Sequence, residues 1–217
     1  MHILLTDALT CPRCGPAFGL ILLADHLAER RVHEGSLGCA NCREQYPVRA
    51  RVAALRYPPS PQAAAAQPEP YVQAAHSPAD AEEALRLAAL LGVTSGPGTL
   101  LLAGPQARLA AALARAVPEV EVAALGAAAP ADLGAAVSPL LAEPARWPLR
   151  DRSAAAVAVP AGWGDAGLAE AVRVLRGPGR LVVYDADAEA AAWLRARGLT
   201  VLLDAEGFVV ASPARPG

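Results

Sequence analysis

The sequence predicts an α/β protein: a small unit carrying four cysteines, then a larger unit built on a mostly parallel sheet with helices on both faces and a closing antiparallel hairpin. Three observations carry this expectation. All four cysteines fall within residues 1–57, as two Cys-x-x-Cys pairs. From residue 78 onward, short apolar runs alternate with Ala- and Leu-rich segments of helical length, the pattern of strands joined by crossover helices. The hydrophobic fraction is 54% with only 4% aromatic residues, so the core must be built from small aliphatic side chains. A chain of 217 residues has room for one large unit and one small one.

Residues 1–57 read as a zinc ribbon. Cys11 and Cys14 form one pair, Cys39 and Cys42 the other, with 24 residues between the pairs. Each pair suits a tight knuckle that aims two thiolates at one point, and two knuckles complete the tetrahedron that Zn²⁺ accepts. Gly15 supplies a permissive backbone after the first pair, whereas Arg43 stands at the equivalent place in the second. The spacing exceeds the usual window of about 15 to 20 residues, which predicts an extra helical turn or loop around Asp25–Glu34. Four thiolates leave no open coordination position, so the expected metal is structural. His26 and His33 lie between the knuckles and read as solvated surface residues. The competing reading of the cysteines is as free or redox-active thiols.

Residues 58–77 read as a linker, rich in Pro and Ala and unable to supply a core. Residues 78–217 form the larger unit. Ser77-Pro78 opens a helix with a capping serine and a first-turn proline, and Gly92 ends it. A buried strand is expected over Thr99–Ala103, then a turn at Gly104-Pro105 and a helix over Ala107–Ala116. Another strand follows near Val120–Leu125. The stretch from there to Trp147 predicts no clear element. A strand near Ala154–Val159 leads to a helix over Asp165–Arg176, closed by Gly177-Pro178-Gly179. A strand at Arg180–Tyr184 and a helix over Ala188–Arg197 lead to two strands, Thr200–Leu203 and Phe208–Ala211, spaced as a hairpin.

Charge and patterning exclude some classes of function. A net charge of −2 argues against a protein whose main task is to coat nucleic acid. A local basic face is conceivable from Arg30, Arg31, Arg43, Arg49, Arg51 and Arg56, because residues 1–57 hold seven arginines against five acids. The uncharged run Leu87–Ala107 is interrupted by glycines and prolines that no lipid-facing helix tolerates. The N-terminus lacks the pattern of a signal peptide. The expectation is a cytoplasmic protein, where paired cysteines more often bind metal than form disulfides.

Two resemblances sharpen this reading. Leu9-Thr-Cys-Pro-Arg-Cys-Gly15, Leu37-Gly-Cys-Ala-Asn-Cys42 and Tyr46-Pro-Val-Arg49 resemble the small zinc-ribbon activator subunit of tRNA, rRNA and release-factor methyltransferases and its short bacterial relatives. Ala50-Arg-Val-Ala53 stands where that family continues Asp-Gly-Ile-Pro. Residues 78–217 resemble a class I S-adenosylmethionine-dependent methyltransferase, through Arg86-Leu-Ala-Ala-Leu-Leu-Gly92, Trp147-Pro-Leu-Arg-Asp-Arg-Ser153 and Ala171-Val-Arg-Val-Leu-Arg-Gly-Pro-Gly-Arg-Leu-Val-Val183. That resemblance implies a Rossmann-like sheet.

The resemblance also implies a cofactor site, and here the chain departs from it. The family places an acid and a Gly-x-Gly-x-Gly loop after the first strand, where this chain has Leu102-Ala-Gly-Pro-Gln-Ala107. Pro105 removes a backbone donor. After the second strand, where the family holds the ribose with an acid, Ala123-Ala-Leu-Gly126 offers none; Glu121 is the nearest and lies inside the strand. Val159-Pro-Ala-Gly162 lacks the Asn, Asp or aromatic pair of the family's catalytic motif. Asp151, Asp185 and Asp187 sit near strand ends and read as solvated acids.

The sequence therefore predicts a non-catalytic adaptor or partner subunit, a pseudoenzyme that does not bind S-adenosylmethionine. It would join a protein partner or a second copy of itself, with the ribbon packed on a methyltransferase-like sheet. The alternatives are an active methyltransferase with an unorthodox pocket and a zinc-ribbon nucleic-acid-binding protein.

Overall fold

The computed structural model describes residues 1–58, 78–126, 134–205 and 207–214. The expected linker falls almost wholly outside the described residues. Thirteen strands are seen among them: β1 (Thr10–Cys11), β2 (Gly15–Gly19), β3 (Ile21–Ala28), β4 (Arg31–Gly38), β5 (Gln45–Arg49), β6 (Val52–Ala54), β7 (Gly98–Ala103), β8 (Val120–Gly126), β9 (Val137–Leu141), β10 (Ala156–Pro160), β11 (Leu181–Tyr184), β12 (Leu199–Ala205) and β13 (Phe208–Pro213). The α-helices are α1 (Pro78–Leu91), α2 (Ala110–Ala116), α3 (Gly164–Val174) and α4 (Ala188–Ala196). None is long and apolar enough to cross a membrane.

Eleven strands form one sheet in the order β12-β13-β11-β10-β7-β8-β9-β6-β5-β4-β3. From β9 through β7 and β10 to β11 all pairings are parallel. β13 inserts antiparallel between β11 and β12, the expected closing hairpin. The chain lays β7, β8 and β9 outward in one direction and then returns to place β10 and β11 on the other side of β7. The gap between the carboxyl ends of β7 and β10 is therefore the topological switch point, where open α/β sheets bind ligands.

The four-cysteine unit continues this sheet. β6 lies parallel to β9, with Ala53 opposite Leu140 and Ala54 opposite Leu141, and β5, β4 and β3 follow antiparallel. Alternation along the strands divides the core in two. Leu100 and Leu102 join Ala84, Leu87 and Leu91 of α1 and Leu113 of α2 on one face. Leu101 and Ala103 face Leu168 and Ala171 of α3 and Leu194 of α4 on the other, together with Met1, Leu5 and Leu9. The segment between β9 and β10 contains no helix among its residues. A 3₁₀ helix at Ile3–Ala8 contributes Leu5 to this core, and the His2 N–H just before it donates to Ser138 of β9.

A polar seam locks the arrangement. The Arg31 guanidinium grips both carboxylate oxygens of Glu121 at 2.6 and 2.7 Å, and their side chains are only 11% and 15% exposed. The Ser138 hydroxyl donates to Glu121 at 2.5 Å and accepts from the backbone N–H of His2 at 2.8 Å. Arg51 donates to the carbonyls of Gly134 and Val137. Burial, with help from Arg51 and Arg31, pushes the Met1 amine down to about 4, and this amine donates to the carbonyls of Val32 and Arg51.

Three expectations need correction. The extra turn or loop expected around Asp25–Glu34 is instead a hairpin of β3 and β4, whose register shifts once at Asp25 on β3 and once at His33 on β4. The helix expected over Ala107–Ala116 begins as a 3₁₀ helix at Gly104–Leu109 and becomes α-helical only at Ala110. The stretch before Trp147, read as lacking an element, contains the buried strand β9.

Candidate metal centre and switch point

The cysteine cluster is built by two turns. Cys11 ends β1, and Gly15 takes a positive φ of 92° just beyond Cys14. Arg43 reaches a φ of 64° after Cys42, so an arginine adopts the left-handed turn that glycine would take without cost. Its backbone N–H donates to the Cys39 carbonyl at 2.9 Å. The four Sγ atoms lie within 4.8 Å of one another, with Cys11 to Cys42 at 3.6 Å and Cys14 to Cys39 at 3.9 Å. A tetrahedron with Zn–S bonds of about 2.3 Å has S···S edges near 3.8 Å, so these sulfurs have the spacing of a closed four-thiolate site.

The surroundings favour a thiolate at Cys11 and oppose one at Cys42. Burial raises the Cys11 thiol, but hydrogen bonds from the Tyr46 hydroxyl and the N–H groups of Cys14 and Arg13 outweigh it and bring the group down to about 7. Cys42 is pushed up to about 12, by burial and by its sulfur neighbours. Four sulfurs this close cannot all ionise without a cation, and a divalent ion reverses that opposition. Cys11, Cys14, Cys39 and Cys42 would hold such an ion as a structural staple. Asn41 Nδ2 lies 3.3 Å from Cys14 Sγ and Tyr46 Oη lies 3.5 Å from Cys11 Sγ, as supporting donors. His26 and His33 sit apart on the β3–β4 hairpin, their rings 4.9 Å from each other.

The knuckles rest on the segment leading to β10. Thr10 N–H donates to the Pro148 carbonyl at 3.0 Å, and Arg150 N–H donates to the Ala8 carbonyl at 2.8 Å. The Arg146 guanidinium reaches the Pro12 carbonyl inside the first knuckle at 3.1 Å.

At the switch point, Gly104 follows β7 with a φ of 66°. A Cβ placed there would lie 2.9 Å from Pro160 Cγ and 3.3 Å from Trp163 Cε2. The side of Gly104 on which a Cβ would stand is thus occupied by the chain's own side chains. The edge of one of Trp147 and Trp163 meets the face of the other, with centroids 5.9 Å apart and an interplanar angle of 81°. Trp147 is held in turn by Nε1 donating to the Pro144 carbonyl at 2.8 Å.

The acids singled out in the sequence have other tasks. Glu121 is committed to Arg31, Asp151 pairs with Arg173 at 2.7 Å, and Asp187 caps α4 by accepting from Ala190 N–H. Asp185 is exposed at the end of β11. Four of the six arginines named for a basic face have partners within the chain. Arg31 and Arg51 are drawn into the seam, Arg49 pairs with Glu34 and Arg56 with Glu143. Sequence reasoning missed Pro160 and Trp163. The Gly-Trp-Gly run at 162–164 was the available signal.

The architecture resembles that of a candidate S-adenosyl-L-methionine-dependent methyltransferase from Methanococcus maripaludis, with a TM-score of 0.52 over 64% of this chain and 87% of that one. The fold is methyltransferase-like. A candidate methyltransferase from Bacillus halodurans matches 57% of this chain and 70% of its own at a TM-score of 0.40. Each is 17% identical to this chain, and at that level the first likeness speaks of fold alone. No family model matches the chain, and no curated protein matches its sequence. Since the first of these structures is described as using S-adenosylmethionine, the expectation that this chain does not bind it rests on its own switch point.

Proposed function

We propose that the chain is a non-catalytic partner subunit, in which a methyltransferase-like fold without a cofactor site is joined to an activator-like metal ribbon. The observation that supports this best is the filled switch point, with Pro160 and Trp163 against Gly104. The chemistry around it agrees. Ala103 and the Ala123–Gly126 segment supply no carboxylate, and Pro105 has no N–H. Each missing charge-assisted hydrogen bond removes about 1.5 to 3 kcal/mol. Two of them weaken a micromolar site by roughly two to four orders of magnitude.

The ribbon's place favours the same reading. In the family it resembles, the activator subunit works by covering an apolar face of its methyltransferase; here β6 pairs with β9 within one chain. A protein partner is favoured over nucleic acid because Arg31, Arg49, Arg51 and Arg56 are engaged within the chain. Four thiols kept for a metal suit the cytoplasm.

Isothermal titration of the full chain with S-adenosylmethionine and S-adenosylhomocysteine tests the reading. No saturable binding is expected. A dissociation constant below about 50 μM for either compound would instead establish the alternative, an active methyltransferase with an unorthodox pocket.

A further inference from the structure

The end of the sheet opposite the switch point carries an open cleft of about 950 Å³. It lies where β10 and β11 begin and β13 ends, beside the last turns of α3 and α4. Open α/β sheets take their ligands at the carboxyl ends of the strands, so this cleft, at the amino ends, is a separate place. Four arginines line it, Arg152, Arg173, Arg176 and Arg197, against one acid, Asp151. That positive excess stands on a chain whose net charge is −2.

The four cations differ in what they have left to give. Arg173 turns its donors inward, to Glu170, to Asp151 and to the carbonyls of Trp147 and Leu149. It thereby also engages the one lining carboxylate. Arg152, Arg176 and Arg197 form no ion pair among the described residues. Their backbone is nevertheless anchored: Arg152 N–H donates to the Arg173 carbonyl at 3.0 Å, and Arg176 N–H to the Ala154 carbonyl at 2.8 Å. The Arg197 guanidinium lies over the Trp193 ring, 3.5 Å from its centre. The carboxyl ends of α3 and α4 meet the same cleft, each with a partial charge of about −0.5. Together these offset roughly one of the three unpaired guanidiniums, which leaves the cleft attractive to anions.

The walls between the cations select among anions. Val172, Leu175 and Leu199 line the cleft, and among the described residues no aromatic side chain does. Nucleic acid would find partners for its phosphates here but no ring on which to stack a base. A peptide that alternates carboxylates with aliphatic side chains suits both surfaces, since guanidinium forks match carboxylates and the apolar walls match the rest. We infer that this cleft docks an acidic, aliphatic-rich peptide segment of a partner protein. The inference rests on the reading of the chain as a partner subunit, and it names the chemistry of what the chain joins.

The experiment is isothermal titration of the full-length, metal-loaded chain with a blocked eight-residue peptide of alternating leucine and glutamate. Saturable binding is expected, with a dissociation constant below about 100 μM. Three changes are each expected to weaken it at least about tenfold, or about 1.4 kcal/mol: glutamine for glutamate in the peptide, serine for leucine in the peptide, and the joint substitution Arg152→Gln, Arg176→Gln and Arg197→Gln in the chain. Arg195→Gln, which loses a pairing with Asp204 outside the cleft, is expected to change affinity by less than about twofold. Circular dichroism and metal content check folding; should the triple variant fail to fold, Arg176→Gln alone must still weaken binding. Absence of saturable binding, equal binding of the glutamine peptide, or tighter binding of an eight-residue oligouridylate overturns the inference. So does equal binding of the serine peptide or a large effect of Arg195→Gln, either of which marks diffuse charge attraction. The partner-subunit reading is judged separately, by titration of the unaltered chain with S-adenosylmethionine, so the two can fail independently.

Discussion

Arg43 shows how much one residue can conceal. Its type gives no hint of a turn, yet it holds a φ of 64°, a region that costs a side-chain-bearing residue about 1 to 2 kcal/mol. Arg43→Gly is therefore expected to stabilise the metal-loaded protein by about 0.5 to 1 kcal/mol, once the greater freedom of glycine in the unfolded chain is deducted. Denaturant titration at saturating metal checks this, and a destabilised variant would show that the guanidinium makes contributions beyond its backbone. The clustering of the four cysteines was legible, because Cys-x-x-Cys is a local pattern whose chemistry travels with it. Tyr46 was legible only as part of a motif. That its hydroxyl lies 3.5 Å from Cys11 Sγ depends on β5 lying beside the knuckle, which spacing along the chain does not encode.

Among the elements, β7, β10 and β11 could be read directly, since strands buried on both faces appear as apolar runs, and β8 could be read from Val122–Leu125 despite Glu121. β9 escaped notice because Ser138 and Pro139 interrupt its run. Both have reasons visible only in the folded sheet, Ser138 being the residue that joins Glu121 to the N–H of His2. The β3–β4 hairpin was misread because Asp25, His26, Glu29, Arg30 and Arg31 look like a solvated loop. Its outer strand is indeed exposed over most of its length. The seam between β4 and β8 carries its own prediction. Glu121→Ala leaves the Arg31 guanidinium buried without its carboxylate, and breaking such a pair costs about 3 to 5 kcal/mol. The double replacement Arg31→Met with Glu121→Leu removes both charges and should recover most of that loss. Chemical denaturation of the three chains decides between this and a weak surface-like pair, for which Glu121→Ala would change stability by less than about 1 kcal/mol.

For the molecule as a whole, the joined sheet means that the four-cysteine unit is not an appendage. The first knuckle is tied to the segment before β10 through Thr10, Pro12, Arg146 and Pro148, and Met1, Leu5 and Leu9 lie in the same core as α3 and α4. Removing the metal with a chelator should therefore lower the stability of the entire chain by several kcal/mol, given that structural zinc sites contribute on the order of 10 kcal/mol to small domains. A single thermal transition moving to lower temperature is the expected scan. Two transitions, with the upper one indifferent to the chelator, would show the sheet to be independent of the ribbon. The same continuity has a consequence in time. The N–H of His2 finds its acceptor 136 residues further along the chain, and β6 pairs with a strand whose matching residue, Leu140, lies far beyond Ala53. On the ribosome, at about 5 to 20 residues per second, the opening segment must wait many seconds with its apolar residues uncovered before its seat in the sheet has been synthesised. Contacts of such long range also slow folding once the chain is free. Residues made earlier thus wait for those made later before they find their place.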